Sequence, residues 1–213
     1  MIILIGGEKG GTGKTTLAVN LAVLNAAAGK DVLLVDTDPQ GSANFWSEIR
    51  SESSIEPSIQ CVQKSGKALA KQLVDLHKRY ENIIVDAGGR DSVELRAAMA
   101  VADRAFIPVQ ASQFDMWTVT RMSEVVEQVS AINPDLDAWL IINRAPTNPS
   151  VNEAEEAAEY VADFDNLKLC PVVMRERITY RKAAPDGLAI TELTKRDQKA
   201  ISELNDLYSE VFE

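Results

Sequence analysis

Basic residues are in short supply. Lys and Arg number 22 against 32 Asp and Glu, a formal charge of −10 over 213 residues. That balance excludes a protein coated in positive charge, so contact with nucleic acid would need a local patch working against a repulsive total field. Cysteine is almost missing: Cys61 and Cys170 lie far apart and in no C-x-x-C pair. A disulfide framework is therefore not expected, and a cytosolic setting is the default. No run of about 18 apolar residues occurs, so no membrane-spanning helix is expected. Met1-Ile-Ile-Leu-Ile5 is apolar, but it lacks a basic leader and is too short for a signal core. Histidine occurs once, as His77 among Asp75, Lys78 and Arg79, with no nucleophile beside it, and reads as a surface residue. What is plentiful is ordinary: 46% hydrophobic and 25% charged residues, the composition of one folded soluble domain over 1–213 with its own core.

Short β-branched runs alternate with longer stretches of helical period, the pattern of a parallel sheet covered by helices. Strands are expected at Ile2–Ile5, Val32–Val35, Asn82–Val85, Arg104–Val109, Trp139–Ile142 and Leu167–Val173, with a weaker one near Ile59–Val62. Several are apolar throughout, as befits strands buried on both faces. Helices are expected over roughly 14–28, 66–79, 91–101, 114–131, 151–163 and 195–211, with Gly29 as a left-handed cap after the first. No repeat or long linker divides the chain, so the fold class is α/β: one doubly wound, mostly parallel sheet with helices on both faces. Trp46, Trp117 and Trp139 read as core or interface anchors.

The stretch Lys9-Gly-Gly-Thr-Gly-Lys-Thr-Thr16 sits between the first strand and the first helix. Gly10, Gly11 and Gly13, with Thr12 between them, let the backbone bring its N–H groups close to phosphate oxygens. The helix that follows presents its positive end to the same anion. Lys14 would neutralise the β- and γ-phosphates, the Thr15 hydroxyl would ligate Mg²⁺, and Thr16 could reach the α-phosphate. The strict pattern asks for glycine where this chain has Glu8. A glycine-rich strand–helix link without a ligand is the bland alternative. The Gly-Lys-Thr at that junction favours a nucleotide site.

Two lysines around Gly-Gly-Thr-Gly resemble the deviant Walker A box of the ParA/MinD ATPases, and the chain looks like a short ParA-type partition ATPase without an amino-terminal helix-turn-helix domain. The resemblance extends to Asp36-Thr-Asp38-Pro-Gln40, to Ile83-Ile-Val-Asp86 and to Arg-x-x-Tyr-x-x-Ala at 177–183. It implies a P-loop NTPase fold, with ATP and Mg²⁺ bound. It also implies that Lys9 reaches the nucleotide of a second subunit in an ATP-dependent homodimer. By the same resemblance Asp38 orients or deprotonates the attacking water, Asp36 supports the metal shell, and Asn143 reads the adenine edge. Asp-x-Asp-Pro is also the pattern of a plain turn, and Asn143 could simply cap a strand.

Asp86 ends an apolar strand, which places it at the carboxyl edge of the sheet where doubly wound folds bind ligands; it is assigned to Mg²⁺. The family usually has a proline in the segment that follows, and this chain has Gly88-Gly89. Between Met174 and Lys182, Arg175, Arg177, Arg181 and Lys182 face one Glu176, a sum of 4 − 1 = +3, and Lys195, Arg196 and Lys199 follow. In ParA proteins such cations hold DNA without sequence preference, so these seven are candidates for DNA contact. If each subunit met about four phosphates, a dimer would show a salt slope near −7. An ordinary solvated face is the alternative, and Arg177 and Tyr180 could instead pack near the nucleotide. The acidic Glu153–Asp165 reads as a solvated helix remote from DNA.

The function these features imply is ATP-driven partition or positioning: a cytoplasmic, nucleoid-associated dimer released by a partner protein on a plasmid or other cargo. A MinD-like membrane cycle is the alternative. It would need a basic amphipathic end, whereas Ala200–Glu213 carries Glu203, Asp206, Glu210 and Glu213 and no Lys or Arg. An iron-protein-like cluster carrier would need bridging cysteines in other contexts. A small-molecule synthetase would have no use for Lys9 acting in trans.

Overall fold

The computed structural model describes residues 1–89, 91–110, 116–148 and 159–213. Seven parallel strands form one sheet in the order β3-β2-β4-β1-β5-β6-β7. They are β1 Ile2–Ile5, β2 Val32–Asp36, β3 Gln60–Gln63, β4 Asn82–Asp86, β5 Arg104–Gln110, β6 Asp137–Asn143 and β7 Lys168–Leu169. Helices follow as α1 Lys14–Ala27, α2 Ser42–Glu52, α3 Leu69–His77, α4 Val93–Met99, α5 Met116–Ser130, α6 Ile178–Ala183 and α7 Gln198–Phe212.

Alternation along β1 builds two cores. Ile2 and Leu4 face Leu69 and Leu73 of α3, Leu95 of α4 and Val119 and Met122 of α5. Ile3 and Ile5 face Leu17 and Leu21 of α1, Trp46 of α2 and Leu204 and Leu207 of α7. Side chains that point to opposite faces of every central strand therefore bury both. Gly29 follows α1 at φ +78°, the expected left-handed cap, and its N–H donates to the Ala26 carbonyl at 2.9 Å.

Three expectations change. The strand expected at Leu167–Val173 is reduced to Lys168–Leu169, because Pro171 lacks the N–H that would continue the ladder. Helices α2 and α6 form where none was expected. Of the helix expected over 151–163, residues 151–158 lie outside the described residues, as do Glu153, Glu155 and Glu156; residues 159–161 are helical. No described helix is long and apolar enough to cross a membrane.

Candidate nucleotide site

β1 is the central strand, and its carboxyl end opens into the glycine loop, so the loop sits at the point where the strand order reverses. Gly11 has φ +75° and Gly13 φ +91°, the left-handed region that glycine enters without penalty. A Cβ on Gly13 would also collide with the Asn143 amide nitrogen. Gly89, after β4, approaches as tightly: a Cβ there would lie 2.8 Å from the Gly10 nitrogen. The doublet Gly88-Gly89 therefore lets the segment after Asp86 lie directly against the loop.

The loop is held in shape by its surroundings. Lys14 is buried, and its Nζ donates to the Lys9 carbonyl at 2.7 Å. Burial lowers the Lys14 pKa, opposed by Asp86 and Asp38. The Asn143 amide donates to the Thr12 carbonyl at 2.6 Å. The side chains of Gln110 and Arg144 donate to the Gly11 carbonyl at 2.8 and 2.7 Å. Sequence reasoning had no role for these last two residues. Arg144 has a left-handed φ of +56°, which no pattern in the sequence signals.

Asp86 and Thr15 meet, as their sequence assignment requires: Thr15 Oγ1 donates to Asp86 Oδ2 at 2.6 Å. Burial pushes the Asp86 carboxyl up to about 7, partly offset by that hydrogen bond. A buried carboxylate paired with a hydroxyl is a set of hard oxygen donors, and it fits Mg²⁺, which takes one or two protein oxygens and completes its shell with water and phosphate.

Asp36, assigned to the support of the metal shell, is engaged by backbone donors. Its Oδ1 accepts the Asp38 N–H at 3.0 Å, and its Oδ2 accepts the N–H groups of Ala43 and Asn44 at 2.9 and 3.0 Å. Burial raises its pKa while these three backbone donors oppose the rise. Asp36 thus caps α2 from seven residues upstream and fixes the backbone at Asp38. The Asp38 side chain stands beside Gly88, and it lines the same cavity of about 430 Å³ as Gly10, Gly13, Lys14 and Thr15.

The cationic candidates divide. Arg175, Arg177 and Arg181 line that same cavity. Arg177 is 12% exposed and holds Glu203 with two bonds of 3.0 and 2.6 Å. Arg175 lies 3.6 Å from the same carboxylate. The two guanidiniums thus share one carboxylate of α7, and Arg175 also donates to the Pro146 carbonyl at 3.2 Å. Arg181, Lys182, Lys195, Arg196 and Lys199 are exposed. Lys9 does not line the 430 Å³ cavity; it borders a second one with Glu8, Trp117 and Arg121. Trp46 is buried in the core, whereas Trp117 is 84% exposed. His77 is half-buried, with Nε2 3.3 Å from the Met1 amine.

The family model of the CobQ/CobB/MinD/ParA nucleotide binding domain matches residues 3–190. A maintenance of carboxysome distribution protein A from Gloeobacter kilaueensis is 30% identical over 193 residues, 90% of this chain and 84% of that protein. Its namesake from Halothiobacillus neapolitanus is 26% identical over 204 residues, 95% of this chain and 92% of that one. The solved structure of apo McdA from Cyanothece shares the fold with a TM-score of 0.80, at 18% identity over 100% of this chain and 99% of the other.

Proposed function

The chain belongs to the CobQ/CobB/MinD/ParA nucleotide-binding family, and on that premise we propose that it is an ATP-hydrolysing positioning ATPase. It acts as a single domain over 1–213 that pairs with a second copy when ATP is bound. The observation that carries the reading is the division of labour between the two lysines of the loop. Lys14 is folded back over the phosphate site, while Lys9 borders a different cavity. A lysine that does not serve its own pocket is suited to serve a neighbour's.

In this reading the backbone N–H groups from Gly10 to Thr16 cradle the phosphates, and Lys14 leaves the Lys9 carbonyl to meet the β- and γ-oxygens. Thr15 and Asp86 hold Mg²⁺, which when bound neutralises charge on those oxygens. Asp38 orients the attacking water. Asp36 acts one step removed, by fixing the backbone that carries Asp38. Asn143 holds the loop at Thr12, and the reading also gives it the adenine edge. A cytoplasmic, nucleoid-associated cycle follows, in which the closed pair binds DNA without sequence preference through Arg181, Lys182, Lys195, Arg196 and Lys199. A cargo-bound partner protein then triggers hydrolysis and release. The relatives named for carboxysome distribution support positioning as the task, with a plasmid or another cellular body as cargo.

The test is DNA co-sedimentation with ATP, ADP or no nucleotide, at low and moderate salt, for the native chain, Lys9→Ala and Asp38→Asn. ATP-dependent, salt-sensitive binding that Lys9→Ala abolishes is expected. Asp38→Asn should bind DNA with ATP but release no phosphate. Equal DNA binding in every nucleotide state would remove the proposed switch.

A further inference from the structure

Glu8 occupies the place where the strict phosphate-loop pattern has glycine, and it has a partner of its own. Its side chain is 13% exposed, and Oε1 lies 2.8 Å from Nε of Arg121 on α5. The guanidinium N–H does not line up with it, because Oε1 is buried and accepts no aligned hydrogen bond among the described residues. The attraction is Coulombic, and the carboxylate is left under-satisfied. Burial raises the Glu8 pKa, Arg121 and Arg96 lower it, and Asp91 and Glu124 add to the rise. The same neighbourhood is braced from the other side. Asp91, beyond β4, grips Arg96 of α4 at 2.6 and 2.8 Å, and Arg96 reaches Gln128 of α5 at 2.7 Å. Helix α5 is thereby tied both to the start of the glycine loop and to the segment after Asp86.

The next residue in the chain is Lys9. Its carbonyl is the acceptor for Lys14, and its side chain borders a cavity of about 940 Å³ with Glu8, Trp117, Arg121 and Glu124. We propose that Glu8, held by Arg121, is a positioning residue for Lys9. The ion pair anchors the peptide that joins residues 8 and 9 to α5. By fixing that peptide it sets the direction in which the Lys9 side chain leaves the loop toward a second copy. This rests on the reading that Lys9 acts in trans. Glycine at position 8 would satisfy the motif and lose the anchor. Arg121→Met would leave the Glu8 carboxylate without its ion-pair partner and the peptide without its tie to α5.

The experiment measures dimerisation by sedimentation velocity with a non-hydrolysable ATP analogue and Mg²⁺. In parallel, it measures the affinity of the monomer for a fluorescent ADP. The variants are Glu8→Gly, Arg121→Met, the double variant and Arg121→Lys. Each single change is expected to weaken dimerisation by roughly threefold to fivefold, as for a pair with one partner exposed, while leaving ADP affinity within about twofold. The double variant should be no weaker than either single one, since both remove the same interaction. Arg121→Lys should restore most of the loss. A Glu8→Gly chain that dimerises as tightly as the native one, or single effects that add in the double variant, overturns the role. Arg121 is 63% exposed, so Arg121→Met keeps the test available if Glu8→Gly fails to fold. A native chain that stays monomeric with saturating analogue overturns the trans-lysine reading instead.

Discussion

Arg50 offers a direct test of how the site is braced. The residue is fully buried on α2, and its guanidinium spends every donor. Nε and Nη2 reach the Pro57 carbonyl at 2.9 and 2.8 Å, and Nη1 reaches the Gly187 carbonyl at 3.0 Å. Both terminal nitrogens hold Glu192, at 2.8 and 2.7 Å, and the cation lies 5.4 Å from the centroid of the Trp46 ring. Arg50→Met keeps the bulk but leaves Glu192, 17% exposed, and two carbonyls without their donor. Breaking a buried pair from one side costs about 3–5 kcal/mol. The lower half of that range applies, since Glu192 keeps the Ala189 N–H at 2.8 Å. At ~2–4 °C per kcal/mol for a chain of this size, melting should fall by roughly 10 °C. Ser42 of α2 and Ala184, which precedes Gly187 by three residues, both line the nucleotide cavity, so ADP affinity should drop as well. Differential scanning calorimetry and ADP titration, with Arg50→Lys as an intermediate, read both effects. A melting shift below about 2 °C would refute the reasoning, because removing every donor that Arg50 gives to Glu192 and two carbonyls cannot be that cheap.

Two further outcomes follow from the site. The Asp86 carboxyl, raised to about 7 by burial from a model-compound value of 3.8, binds its proton more tightly folded than unfolded. Between those two values the native state therefore holds the extra proton, and this contribution to stability is lost as pH rises through about 7. Asp86→Asn, which mimics the protonated form, should gain stability relative to the native chain between pH 5 and 8 without nucleotide; a pH-independent difference in melting temperature would contradict this. Gly13→Ala combines a φ of +91° with a collision against Asn143, so it should abolish measurable binding of a fluorescent ATP analogue even where circular dichroism shows a folded chain. Binding within about threefold of native would refute the constraint.

Much of the frame was legible because it is local. The apolar strands, the glycine loop and the Asp86 edge are each written in contiguous residues, and the sheet gathers them at one end. What was not legible depends on partners distant in sequence. Helix α2 begins without a side-chain cap of its own at Gly41, and its first turn is satisfied by Asp36, which belongs to a strand. Its buried face includes Ser47 and Arg50, so no apolar stripe announces it. The cations at 175 and 177 read as a solvated patch because Glu203, the carboxylate they share, lies on the last helix. Arg144 and Gln110 showed no motif because their acceptor is a backbone carbonyl of the loop.

The contact between the Lys14 ammonium and the Lys9 carbonyl makes loading of the pocket an exchange rather than an addition. An incoming anion must outcompete a neutral acceptor already in place. Its advantage is the difference between a charge–charge and a charge–dipole contact, not the whole of either. A ligand that brings no negative charge to that ammonium cannot collect the difference. A preference for ligands that do is thus built into the resting shape of the loop before any other part of the ligand is read.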